Sequence, residues 1–163
     1  MKKIEKEILE ILKLNARTSN KDIAQMLNIE EKEVAITIAE LEDNGSILKY
    51  TTIIDEKKTQ AKEKVRALIE LSIRPEKRTG FEKIAHRVAG FKEVIDHYLI
   101  SGSYDFLLIV EGESIEEIST FVAEKLASID NVRSTCTNFI MRRYKQNGHV
   151  FEEHQNNRLI VSP

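Results

Sequence analysis

Apolar residues fall at helical spacing through the first 45 positions and in strict alternation later. Ile4, Ile8, Leu9, Ile11 and Leu12 give one apolar face, which predicts a first helix. Asn15-Ala16-Arg17-Thr18 breaks it, and Ser19 with Asp22 three residues on marks the start of a second. That helix carries Ile23, Ala24, Met26 and Leu27, with Asn28 as a left-handed end. Val34, Ile38 and Leu41 predict a third helix, closed by Asn44-Gly45. Ile47–Ile54 is β-branched and reads as one or two short strands. The sum is a winged helix-turn-helix candidate over 1–54, whose alternative is a three-helix bundle without a nucleic-acid role.

Residues 55–64 hold no large apolar side chain and read as a hinge linker or exposed turn. Over 65–144 the pattern changes. Val65–Arg74 alternates as a strand, Phe81, Ile84, Ala85 and Val88 form a helical stripe, and Glu93–Ser101 is a second strand. Gly102-Ser103 reads as a tight turn before a third strand, Tyr104–Glu111. Ile115, Ile118, Phe121, Val122 and Leu126 make another helix behind Ser114, and Val132–Tyr144 is a last strand. The order βαββαβ is ferredoxin-like, an α+β arrangement with both helices on one face of an antiparallel sheet. Mixed polarity on both faces of the last strand points to an oligomer interface. Residues 145–163 form a polar tail ending in the apolar triplet Leu159-Ile160-Val161.

Composition narrows the function. The 163 residues carry 25 Lys+Arg against 27 Asp+Glu, a net charge of −2, so bulk basicity gives no argument for nucleic acid. No apolar run approaches the roughly 18 residues of a membrane span, and the N-terminus does not read as a signal peptide. One cysteine, Cys136, permits no internal disulfide, and His86, His97, His149 and His154 lack metal-ligand spacing. The expectation is a cytoplasmic protein with no membrane, metal or cofactor partner.

Three stretches resemble the Lrp/AsnC (feast/famine) family of transcriptional regulators. They are Arg17–Ala24 at the entry to the second helix, Leu41-Glu42-Asp43-Asn44-Gly45-Ser46-Ile47 after the third, and Ser101-Gly102-Ser103-Tyr104-Asp105 in the central hairpin. The resemblance implies a DNA-binding domain, a hinge and a RAM-type ferredoxin-like domain for effector binding and oligomerisation. Its partners would be double-stranded DNA, a small effector such as an amino acid, and other copies of itself, as a homodimer and an octamer of four dimers. Arg17, Ser19, Asn20, Lys21, Lys32, Thr37 and Lys49 are the DNA-binding candidates. By the same resemblance Gly102, Asp105, Thr135 and Thr137 would hold the effector, with Asp105 pairing an ammonium group.

One feature departs from the family. Residues 30–43 carry six acids against Lys32, and Thr37, Ala39 and Glu40 stand where the family usually has Arg or Lys. This keeps open a helix-turn-helix that binds protein instead of DNA. A related enzymatic branch with the same architecture decarboxylates a haem precursor; His97-Tyr98 echoes its hairpin, but the second histidine and the Asn-Met-Trp are missing. The sequence therefore predicts no catalytic residues.

Overall fold

A computed structural model describes residues 2–60, 62–74 and 81–151, so the tail triplet 159–161 lies outside the described residues. Two compact units divide between Ile54 and Asp55. In the first, α1 (Lys3–Leu14), α2 (Asn20–Leu27) and α3 (Glu31–Asp43) enclose Ile8, Leu12, Ile23, Ala24 and Val34. Burying each large aliphatic side chain there contributes about 1.5–3 kcal/mol. Local chemistry sets the boundaries. The Asp22 N–H donates to the Ser19 hydroxyl at the start of α2, and Asn28 ends it at φ 54°. Glu30 precedes α3 without capping it through its side chain, while Glu31 and Glu33 sit in the first turn, where the helix dipole favours acids.

The strands expected over 47–54 do not form. Ile47 packs on the helical core and donates its N–H to the Leu41 carbonyl. Beyond it the chain has no ladder partner among the described residues, and Leu48, Tyr50 and Ile54 remain exposed. β-branched composition supplies strand propensity, but a strand also needs a neighbour to pair with.

The second unit contains β1 (Val65–Ile73), α4 (Glu82–Ala89), β2 (Val94–Leu99), β3 (Phe106–Gly112), α5 (Ile115–Phe121, continued by a π turn over Val122–Leu126) and β4 (Val132–Phe139). The sheet order is β2-β3-β1-β4, antiparallel throughout. Ala67, Ile69 and Leu71 of β1 lie opposite Val110, Leu108 and Phe106 of β3, and all six are buried beneath the helices. The open face carries half-buried Leu68, Leu107 and Ile109 and exposed Tyr98, with Glu70, Cys136 and Asn138 beside them. Its apolar part comes from the inner strands, whereas β4 adds polar residues.

Several boundaries differ from expectation: the second strand is Val94–Leu99 and the third begins only at Phe106. The last strand stops at Phe139 rather than Tyr144, because Ile140 donates to the Arg66 carbonyl and β1 begins at Val65, leaving nothing further to pair. A small hairpin follows, β5 (Lys145–Gln146) and β6 (His149–Val150), turning through Asn147 and Gly148 at φ 46° and 87°. The start of the expected hinge is fastened to this unit. Glu56, in a 3₁₀ turn, accepts from Arg143 at 2.8 Å and lies 3.6 Å from Arg66, which also meets Glu111 at 2.7 Å. Burial pushes the Glu111 carboxyl up, but hydrogen bonds from Lys64 and Arg66 outweigh it and hold the group below its ordinary value.

His97 packs its ring edge-on to Phe106, with centroids 4.6 Å apart, and its buried Nε2 has no hydrogen-bond partner among the described residues. Burial holds this imidazole below its ordinary pKa. The unfolded chain therefore binds the proton more readily, and stability falls as pH drops below about 6.5. His97→Phe is expected to lose less melting temperature than wild type between pH 7.5 and 5.5, measured by thermal denaturation. Ordinary carboxylates remain ionised in that window.

Candidate functional site

The helical unit presents α2 and α3 across a three-residue connection, Asn28–Glu30, the geometry of a helix-turn-helix. Arg17, Asn20 and Lys21 stand at the entry to α2, Lys32 in the first turn of α3 and Lys49 beyond its end. All but half-buried Asn20 are exposed. The Ser19 hydroxyl is committed to the helix start, accepting from the Asp22 N–H at 3.1 Å and donating to Asp22 Oδ2 at 2.6 Å. Thr37 departs from its expected place. It is half-buried on the edge of α3 toward α1, where Lys32, Glu33, Ile36 and Glu40 join it in lining a groove of about 300 Å³.

Four of the five acids in α3 flank its outermost line of side chains rather than occupy it. With 3.6 residues per turn, the side opposite buried Val34 and Leu41 carries Lys32, Ile36, Ala39 and, at its end, Asp43. Glu42 accepts a 2.8 Å hydrogen bond from the Tyr50 hydroxyl. Burial, then that bond, hold the Tyr50 hydroxyl above its ordinary pKa. Counting charges along the sequence missed this sorting, although the helical period contained it.

In the second unit the effector candidates form two groups. Residues 100–105 make a loop of bends rather than a two-residue turn, closed by the Ile100 N–H donating to the Asp105 carbonyl at 2.8 Å. Asp105 Oδ2 accepts from the Ile73 N–H at 2.7 Å, and the Asp105 N–H donates to Leu71. The carboxylate is therefore a structural acceptor with one oxygen, and Oδ1 has no partner among the described residues. Gly102 is exposed, and its φ lies outside the left-handed range. A Cβ there would meet only Ile100 Cγ2, at an ordinary 3.7 Å. Neither backbone geometry nor crowding within the chain requires glycine.

Thr135 and Thr137 pair with Leu71 and Ile69 on the other side of β1. They point to the helix-covered face and are half-buried. Two strand spacings, about 10 Å, separate the Asp105 end of β3 from Thr135. One chain does not bring all four candidates to a common point.

Comparison with known proteins agrees with both units. Residues 1–47 match a winged helix-turn-helix DNA-binding model, and residues 66–150 match the Lrp/AsnC ligand-binding domain. The HTH-type transcriptional regulator YugG of Bacillus subtilis, itself uncharacterized, is 40% identical over 160 residues, covering 98% of this chain and 96% of that protein. LrpA of Pyrococcus abyssi is 32% identical over 141 residues, 86% of this chain and 96% of its own. A Neisseria meningitidis transcriptional regulator solved as a complex with L-Met shares the fold, with TM-score 0.69 and 24% identity over 90% of this chain and 93% of that one. A helix-turn-helix unit for DNA, followed by a ligand-binding unit on a β2-β3-β1-β4 sheet, makes this chain a transcriptional regulator of the Lrp/AsnC family.

Proposed function

We propose that the chain is a cytoplasmic, non-enzymatic regulator whose grip on operator DNA responds to an amino acid bound where subunits meet. The observation that carries this reading is the loop at Gly102. An exposed glycine that the chain itself does not require lies three residues before a carboxylate whose Oδ1 has no partner among the described residues. Exposed backbone at Gly102 suits the carboxylate of an α-amino acid, and Asp105 Oδ1 suits its ammonium group. The L-Met complex of the Neisseria fold relative is in keeping with that chemistry. Because Thr135 and Thr137 stand across β1, a second copy is needed to complete the contacts. The half-buried apolar strip of the open sheet face, Leu68, Leu107 and Ile109, supports a homodimer, with larger assemblies such as four dimers built upon it.

Arg17, Lys21, Lys32 and Lys49 provide the phosphate contacts on this reading, joined by Asn20. Four cations per subunit give modest affinity, which an oligomer multiplies by presenting several helix pairs to one duplex. The effector acts by favouring one assembly over another.

The test combines calorimetry against the twenty amino acids with footprinting on the gene's own upstream DNA at several salt concentrations. One amino acid is expected to bind and to alter protection, and protection is expected to fall steeply with salt. No protection at low salt, with or without amino acids, would overturn the DNA reading in favour of a protein-binding helix pair. Gly102→Ala separates fold from site: its melting temperature stays within about 5 °C of wild type, since compatible Gly→Ala changes shift stability by about 0.4–1 kcal/mol. Effector affinity in the same variant drops at least about tenfold, the consequence of one lost close contact. Unchanged affinity would remove Gly102 from the site.

A further inference from the structure

The outer face of α3 poses a chemical problem. Helix α3 contains no Arg, Asn or Gln, the side chains that grip guanine or adenine with two hydrogen bonds. Its side chains able to donate hydrogen bonds are Lys32 and Thr37, and Thr37 lies toward α1. What the second turn offers instead is Ile36, a large aliphatic residue left 50% exposed, with exposed Ala35 and Ala39 beside it. Helix-turn-helix geometry brings the N-terminal part of the second helix to the base edges. The major groove presents one apolar group there, the C5-methyl of thymine. Small side chains at positions 35 and 39 leave room for close approach on one side of Ile36, while on its other side Ile36 and Lys32 border the groove toward α1 together with Glu33 and Glu40.

We propose that α3 reads its operator through contact of Ile36, flanked by Ala35 and Ala39, with thymine methyl groups in the major groove. The inference rests on the DNA-binding reading above and adds what is recognised. Lys32 then serves the backbone or a single guanine, and sequence preference concentrates on T·A pairs at the positions facing Ile36. The preference is steric and apolar, so it survives salt that weakens overall affinity.

The experiment uses the full-length protein and a duplex enriched from a randomised pool. Affinity is measured by fluorescence anisotropy for that duplex and for the same duplex with deoxyuridine in place of thymidine, which removes only the methyl groups. Wild type is expected to bind the uridine duplex about fourfold more weakly for each methyl contacted. Ile36→Ala should bind the thymidine duplex as weakly as wild type binds the uridine one, and discriminate between them no further. Ile36 lies outside the buried core, so circular dichroism should be unchanged. Equal wild-type affinity for the two duplexes, or discrimination that persists in Ile36→Ala, would overturn the methyl readout while leaving DNA binding intact. Failure to enrich any duplex would overturn the DNA reading itself, and this inference with it.

Discussion

Asp105→Asn is expected to keep the fold of the sheet unit and to lower effector affinity about 10–100-fold, whereas Asp105→Ala damages both. The difference follows from the two oxygens. One accepts from the Ile73 N–H at 2.7 Å and helps tie the end of β1 to the loop before β3. An asparagine carbonyl can accept the same bond, but it has no charge to offer an ammonium group. Loss of a charge-assisted hydrogen bond costs about 1.5–3 kcal/mol, which is the stated loss of affinity. Alanine removes both functions. It leaves the part-buried Ile73 N–H without this acceptor, at a cost of about 1–3 kcal/mol in stability. Calorimetry with the amino acid found by screening and urea denaturation of both variants separate the two terms. An asparagine variant that binds as tightly as wild type would reduce Asp105 to a turn acceptor and refute its role toward the ligand.

Asp105 also shows where sequence was a sufficient guide and where it was not. Period and capping chemistry settled the helices: Ser19 and Ser114 cap as their spacing implies, and Asn28 is left-handed at φ 54°. Strict alternation likewise located β1 and β3, because each buries every second residue under the helices. Pairing is a different kind of information. Segment 47–54 has strand composition but no pairing neighbour among the described residues, and β4 ends at Phe139 because β1 has ended. The hairpin over 145–150 stands in place of the expected polar tail and carries the strongest short hairpin signal, Asn-Gly. Among the site residues, the commitment of one Asp105 oxygen to Ile73 depends on a contact 32 positions away, which no local pattern encodes. The sorting of acids to the edge of α3 was within reach of the helical period, but a net charge for the segment averages over the faces that matter.

The largest stability effect is expected from Phe106→Ala. This ring is 2% exposed and lies at the centre of the sheet unit's core. It meets Phe81 edge-on with centroids 5.8 Å apart, and His97 at 4.6 Å. Its backbone pairs with Leu71 on one side and Leu99 on the other. Truncation removes the transfer energy of the ring and leaves a cavity that two flanking strands cannot close, together about 3–5 kcal/mol. Against the 5–15 kcal/mol of an ordinary domain, that is a large fraction of the total. For a unit of this size the melting temperature should fall by about 15 °C or more. The helical core of Ile8, Leu12, Ile23, Ala24 and Val34 shares no residue with the core around Phe106, so its own transition should stay in place. Scanning calorimetry of the full chain should therefore resolve two transitions in the variant, with only one displaced. A single transition displaced as a whole would show instead that the two cores unfold together. An undisplaced thermogram would contradict the assignment of Phe106 to the core, and with it the register that sets Asp105 against the end of β1.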